Sequence, residues 1–455
     1  MFPWCPEASI SRAGCSELGG SNPVPNSTSV PGAPYVPLIP FTGSFFRSLE
    51  CNVSSSKEVV KLAPFVERVG FQTLTESSYL GNTPQINNMA SPIDPMLKTY
   101  SLPAPQVSKK LFPIAGILCS IYGLDELPMQ AKEVSCLYLM HPRLSTADSM
   151  EGFACHAIAD WNNRLREGRV SVSQQNKGLI AVAFDQRNHG LRLVDKLSNC
   201  AWKEGNPKHA QDMFATYQGT ARDVSLLIDF MDTYAFPDAS RKITTNLALG
   251  VSLGGHSVWN CLLHEPRVTN AVIIIGTPDY TSLMTERAKL SKLSSWKDST
   301  PPGSQFLGSE SFPQSLMDAI RKYDPARFFL SQLGNPIVSE PMLHGILPEP
   351  TDHEKKVIGP LITRCLQGKR IMLISGGKDK LVPYARGEPF LMWLKKAISP
   401  GGWFANGAVT LEDLIFEDAG HEVTPAMMEQ AIRFIGETLA TCAESAQPKV
   451  LTSKI

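Results

Sequence analysis

From about residue 96 onwards, short apolar runs alternate along the chain with amphipathic stretches. The helix-like stretches cover residues 150–166, 212–232, 254–263 and 424–439, and in the second of them Val224, Leu227, Ile228 and Met231 recur at three- and four-residue steps. Apolar strands that alternate with helices are typical of a mostly parallel sheet covered on both faces. The pattern therefore predicts an α/β domain over residues 96–442, with strands at residues 115–122, 134–140, 179–184, 243–249, 270–275, 370–375 and 409–416.

Three regions depart from this alternation. Residues 279–360 form proline-rich, charged helical pieces between two predicted core strands, which predicts a helical lid, with Phe328, Phe329 and Leu330 as candidates for an apolar acyl channel. Residues 1–95 are rich in proline, serine, asparagine and glycine, so we expect a partly ordered N-terminal extension. Residues 443–455 are mostly polar and predict a flexible C-terminal tail.

A candidate nucleophile, Ser252, lies in the sequence Gly-Val-Ser-Leu-Gly-Gly at residues 250–255, between a predicted strand and a predicted helix. A strand that turns sharply into a helix can hold the central serine in a strained conformation with its hydroxyl clear of the sheet. Side chains at Gly250 and Gly254 would collide with the neighbouring strand and helix. Since Leu253 would begin the helix, its backbone N–H could stabilise an oxyanion.

A candidate acid and a candidate base also follow predicted strands. Asp379 comes after residues 370–375, and His421 comes after 409–416 and just before a helix. The chain order Ser252, Asp379, His421 is that of a Ser-His-Asp triad on this type of fold. Asp279, after the strand at 270–275, is the alternative acid.

The loop after residues 134–140 is the candidate for the rest of the oxyanion hole. It reads His-Pro-Arg-Leu at residues 141–144, with Pro142 where such loops usually have glycine. Proline has no N–H, so the second donor would be the amide of Arg143 or of Leu144.

Composition excludes several other classes of function. The 455 residues carry a formal net charge of zero, which argues against a nucleic-acid surface. No apolar run is long enough for a membrane span, and no GxGxxG motif supports a dinucleotide cofactor. The ten cysteines show no CxxC spacing, so we expect neither a metal site nor a disulfide framework. The first twenty residues lack the apolar run of a signal peptide.

Four motifs together resemble the α/β-hydrolase superfamily over about residues 110–440: His-Pro-Arg-Leu, Asp-Gln-Arg-Asn-His-Gly, Gly-Val-Ser-Leu-Gly-Gly-His and Gly-His-Glu-Val-Thr-Pro. The resemblance is to fungal members in particular. It implies a serine-hydrolase activity without fixing the substrate. We predict a serine hydrolase without metal or cofactor that acts on an ester or thioester of a medium-length, apolar acyl compound. Two alternatives stay open: an acyltransferase with the same triad, and a non-catalytic binding protein that keeps the fold.

The chain ends in Ser453-Lys454-Ile455, a variant of the Ser-Lys-Leu peroxisomal address. We therefore expect a peroxisomal import receptor as a partner and a peroxisomal location, with the cytoplasm as the alternative. With this ending, the chain is similar to the peroxisomal hydrolases encoded in the Alternaria clusters for AK-, AF- and ACT-toxins. That resemblance implies a part in building their shared epoxy-decatrienoic acid core.

Overall fold

A mostly parallel sheet forms the centre of the fold in the computed structural model, which describes residues 94–100, 103–441 and the backbone of 450–454. Within these ranges the sheet has nine strands, in the order β1-β2-β4-β3-β5-β6-β7-β8-β9. The pairs β1–β2 and β2–β4 are antiparallel, and all the others are parallel. The strands are β1 (Lys109–Ile114), β2 (Ile117–Tyr122), β3 (Glu133–Met140), β4 (Lys177–Phe184), β5 (Lys242–Val251), β6 (Val268–Ile274), β7 (Arg370–Gly376), β8 (Thr410–Phe416) and β9 (Val450–Lys454).

Helices cover both faces of the sheet, because each parallel connection requires a crossover. On one face α1 packs against α10, while α2, α3 and α8 pack together on the other. The helices are α1 (Glu151–Arg166), α2 (His209–Ala235), α3 (Leu253–His264), α4 (Tyr280–Ser291), α5 (Ser294–Lys297), α6 (Gln314–Tyr323), α7 (Pro325–Leu330), α8 (Asp352–Leu366), α9 (Glu388–Ile398) and α10 (Pro425–Ala440). None of the helices in the described ranges is both long and apolar enough to cross a membrane.

This strand order and its crossovers confirm the predicted α/β-hydrolase fold. The carboxyl ends of parallel strands meet at one edge of such a sheet, where ligands bind in α/β proteins. The loops after β3, β5, β7 and β8 therefore come together, and they carry Arg143, Ser252, Asp379 and His421, respectively.

The segment between β6 and β7, predicted as a lid, consists of the helices α4 to α8. The acyl channel proposed within it is wrong, because Phe329 and Leu330 are fully buried in the core between α7 and its neighbours. Phe328 packs against the same core. The apolar face of the short helix α7 packs against the main core of the domain, and these side chains do not line the cavity at Ser252.

Both edges of the sheet differ from the sequence-based expectation. Strand β1 was not predicted, and β9 lies within the tail that we expected to be flexible. Pairing with β9 covers an edge of β8 that would otherwise expose unpaired backbone groups. Of the predicted extension, residues 1–93 lie outside the described residues, as do 442–449 and Ile455 of the tail.

Candidate active site

Ser252 occupies a sharp turn between β5, which ends at Val251, and α3, which begins at Leu253. Its backbone is in the left-handed half of conformational space, at φ 54° and ψ −111°, which is strained for a residue with a side chain. A Cβ at Gly254 would overlap the backbone oxygen of Met140, and one at Gly250 would overlap the backbone of Gly254. Only glycine at these two positions allows so tight a turn.

The three residues predicted as a triad are joined by two hydrogen bonds. Ser252 Oγ lies 2.9 Å from His421 Nε2, and His421 Nδ1 lies 2.8 Å from Asp379 Oδ2. The carboxylate of Asp379 can only accept, so Nδ1 carries the proton and Nε2 presents its lone pair to the Ser252 hydroxyl. The structure therefore places Ser252, His421 and Asp379 in the geometry of a nucleophile, base and orienting acid.

The loop after β7 holds Asp379 in its ionised form. Its Oδ1 accepts hydrogen bonds from the backbone N–H groups of Leu381, at 2.8 Å, and of Val382, at 2.9 Å. Burial opposes ionisation, but the hydrogen bond and charge of His421 and these two amides outweigh it and keep the pKa of Asp379 below its ordinary value. An anion at this position stabilises the imidazolium that forms when His421 takes a proton.

Asp279, the alternative acid, has a different place in the fold. It is fully buried and caps the N-terminus of α4, where it accepts hydrogen bonds from the Ser282 N–H at 2.9 Å and the Ser282 hydroxyl at 2.6 Å. Its other partner is the guanidinium of Arg327, at 3.5 Å. Because His421 Nδ1 is bonded to Asp379, the structure does not bring Asp279 into the triad.

Three backbone N–H groups of residues that line the cavity at Ser252 are candidates to bind an oxyanion. The N–H groups of Leu253, Arg143 and Leu144 have no acceptor among the described residues, so the second donor is the amide of Arg143 or of Leu144. The oxyanion loop is held in place by His141, whose Nδ1 donates to the Pro142 carbonyl at 2.7 Å and whose Nε2 accepts from the Gln186 N–H at 3.0 Å. Burial lowers the pKa of His141 to about 4, so the ring is neutral at physiological pH and can donate through Nδ1 while it accepts at Nε2.

A cavity of about 250 Å³ opens onto Ser252 and His421. Apolar contributions come from Leu144, Trp202, Met213, Leu253, Leu290 and Leu381. Sequence reasoning missed Trp202, His209, Met213, Arg287 and Leu290, which reach the cavity from the segment before α2, from α2 itself and from α4. No strand-end motif marks these residues, because they lie on helices and on the segment before α2, and only the packing of α2 and α4 at the carboxyl edge of the sheet brings them to the cavity. No group of three or more His, Cys, Asp or Glu side chains in the described residues could hold a metal ion.

Comparisons with known proteins find similarity at the level of structure. No protein-family model matches the chain, and a search of curated proteins finds no match. The structure of TT1662 from Thermus thermophilus aligns with 74% of this chain and with 100% of its own chain, at 16% sequence identity and a TM-score of 0.44. The structure of the Pyrococcus furiosus esterase Pf2001 aligns with 73% of this chain and with 92% of its own chain, at 12% sequence identity and a TM-score of 0.37.

A third structure, the 2,6-dihydroxy-pseudo-oxynicotine hydrolase, covers 76% of this chain and 72% of its own, at 14% identity and a TM-score of 0.38. Similarity this low carries no inference about what the chain acts on. The fold and the site are therefore described by the strand order, the strained turn at Ser252 and the hydrogen bond from Ser252 to His421. The chain has the α/β-hydrolase fold, with Ser252, His421 and Asp379 assembled at the carboxyl edge of its sheet.

Proposed function

We propose that this chain is a serine hydrolase that cleaves an ester or thioester of a medium-length, mainly apolar acyl compound. The observation that carries the proposal is the continuous hydrogen-bond path from Ser252 through His421 to Asp379 at the wall of a partly apolar cavity. A protein that only binds a ligand has no need of a strained serine bonded to an oriented imidazole.

The geometry supports a two-step acyl transfer to water. Ser252 Oγ attacks the carbonyl carbon while its proton passes to His421 Nε2, and the N–H groups of Leu253 and of Arg143 or Leu144 hold the oxyanion. The imidazolium then gives its proton to the departing alcohol or thiol, which leaves an acyl ester on Ser252. Water, deprotonated by the same imidazole, attacks this ester and releases the acid.

The biological setting is also a proposal, and it rests on the sequence alone. The resemblance to peroxisomal hydrolases of Alternaria toxin clusters supports a role in fungal secondary metabolism, in forming the epoxy-decatrienoic acid core of a host-selective toxin. The tripeptide at residues 453–455 supports import into peroxisomes, which would require the backbone of Ser453 and Lys454 to leave its pairing with β8. There, the thioester of an activated fatty acyl intermediate would be the substrate.

Hydrolysis of 4-nitrophenyl esters and of acyl thioesters of increasing chain length tests the proposal. The Ser252→Ala variant should lose on the order of 10³-fold or more in rate on every substrate. Ser331→Ala is the control, because Ser331 is exposed, its hydroxyl donates to the Phe328 carbonyl at 3.3 Å, and it lies outside the cavity. A Ser252→Ala protein as active as the wild type would disprove the proposed function.

A further inference from the structure

The cavity at Ser252 has an excess of positive charge. Among the described residues that line it, Arg143, Lys203, Arg287 and Lys380 are cationic, and Asp94 is the one carboxylate. Asp94 is exposed, and its Oδ1 accepts the Met96 backbone N–H at 2.9 Å. A hydrolase of purely apolar acyl compounds gains nothing from such a lining, because charged groups held near a cavity lose part of their hydration.

Arg287, on the lid helix α4, is the cation with the least compensation. Its guanidinium donates to the Leu381 carbonyl at 2.9 Å, to His209 Nε2 at 3.4 Å and to the sulfur of Met213 at 3.2 Å. It forms no ion pair with any carboxylate of the described residues. An arginine in this state keeps donors free for a ligand, in a fork that suits carboxylate and phosphate oxygens.

Arg143, on the oxyanion loop, is the second guanidinium. It donates to the Asn199 carbonyl at 2.5 Å, and its nearest carboxylate oxygen belongs to Glu204, at 4.0 Å. Burial, together with the positive charge of Arg143, lowers the pKa of Arg287 to about 10. Both cations also help burial to lower the pKa of His209 to about 2, so that this ring stays neutral and accepts from Arg287.

The other anions near these groups already have partners. Asp379 accepts hydrogen bonds from His421 and from two backbone amides, and its charge is the one that the triad requires. Glu286 pairs with Arg386 at 3.2 Å, and Glu204 accepts the Ala201 N–H at 2.6 Å. Two guanidiniums that repel each other across a cavity favour a ligand that places negative charge between them.

We propose that the substrate carries an anionic group in addition to the ester or thioester that Ser252 attacks, and that this carboxylate or phosphate binds to Arg287 and Arg143. This inference rests on the proposed function. It adds a specificity determinant that the apolar part of the lining does not supply: Arg287 selects acyl compounds with a charge near the scissile bond and disfavours their neutral equivalents.

Matched pairs of substrates test the inference on the full-length protein. In the first pair, 4-nitrophenyl hydrogen glutarate and 4-nitrophenyl methyl glutarate differ only in a charge on the acyl side. In the second, 4-acetoxybenzoate and its methyl ester differ in a charge on the leaving group. A third substrate, with a phosphonate in place of the glutarate carboxylate, shows whether the site prefers a carboxylate or a phosphate-like group. The quantity measured is the ratio of kcat/KM for the charged and the neutral member.

The wild type should prefer the charged member of at least one pair by about tenfold or more, since a hydrogen bond to a charged group contributes that much. Arg287→Gln should lower this ratio by about tenfold, and Arg287→Lys should restore part of it. Lys289→Gln is the matched control, because Lys289 is an exposed cation on the same helix outside the cavity, and it should leave the ratio unchanged.

Loss of activity on both members of a pair alike would mean that Arg287 only supports the loop of Leu381, and this would overturn the inference. A wild-type ratio near one in both pairs would overturn it as well. Neither result touches the proposed function, which fails separately if the wild type hydrolyses no ester and Ser252 accepts no active-site label.

Discussion

Replacing Asp379 by asparagine should disable the triad through the tautomer of His421. Asp379 Oδ1 faces the N–H groups of Leu381 and Val382, at 2.8 and 2.9 Å, so the oxygen of an asparagine must take that side. The NH2 group then faces His421 Nδ1, which has to become an acceptor. The ring proton moves to Nε2, where it faces Ser252 and prevents proton abstraction.

The opposite rotamer of the asparagine amide would keep the active tautomer of His421, but its NH2 group would then face the N–H groups of Leu381 and Val382. Leaving those two donors without an acceptor costs about 1–3 kcal/mol each, so the inactive tautomer is favoured. We expect kcat to fall by about 10³–10⁴-fold, equivalent to roughly 4–5.5 kcal/mol of transition-state stabilisation. Steady-state hydrolysis of a 4-nitrophenyl ester at pH 7.5 measures the loss, and circular dichroism checks the fold.

Asp279→Asn is the matched comparison. Asp279 caps α4 and bonds to Ser282, so its replacement should reduce stability while kcat of the folded protein stays within about tenfold of the wild type. The reasoning is wrong if Asp379→Asn keeps more than a tenth of the wild-type kcat. Full activity in both variants would exclude both residues as the acid.

Three further predictions concern stability and location. Burial lowers the pKa of His141 to about 4, from an ordinary value near 6.5, so the unfolded chain binds more protons between these values. The free energy of unfolding should therefore decrease as pH falls from about 6.5 to 4. When this free energy is measured by urea titration at several pH values, its slope against pH should be smaller in His141→Gln than in the wild type by roughly 1.4 kcal/mol per pH unit. Equal slopes against pH in the two proteins would contradict this. Gly254→Ala should destabilise the protein by about 1–3 kcal/mol or more, because the new Cβ meets the Met140 carbonyl; an unchanged urea midpoint would contradict the tight turn. Deletion of residues 453–455 should disperse a fluorescently tagged protein into the cytosol of a fungal cell, and unchanged punctate fluorescence would count against the address.

Much of the fold could be predicted because its core strands are buried on both faces. Strands β3, β4 and β7 are apolar almost throughout, so their positions follow from the sequence to within two residues. Strand β1 was missed because it lies at the edge of the sheet, where its exposed positions tolerate two lysines and a proline. Edge strands give a weaker signal than central ones for this reason.

Ser252, Asp379 and His421 could be proposed as a triad from residue type and chain order, with Asp279 as the alternative acid, but the contacts that separate the two acids required the structure. Asp279 and Asp379 both follow core strands, and only the contacts separate them. A helix cap at Asp279 was available as a sequence signal, since Ser282 stands three residues later at the start of α4. Arg287 gave no comparable signal, because its bond to Leu381 joins residues 94 positions apart.

Covalent labelling of Ser252 tests the assignment of the nucleophile most directly. The full-length protein, treated with a fluorophosphonate and digested, should carry a single phosphonyl adduct on the peptide that contains Ser252, as measured by mass spectrometry. Labelling should be absent in Ser252→Ala and much slower in His421→Gln, since the hydroxyl is activated through its 2.9 Å bond to the imidazole. A folded protein that hydrolyses esters without any adduct on Ser252 would contradict the proposed mechanism.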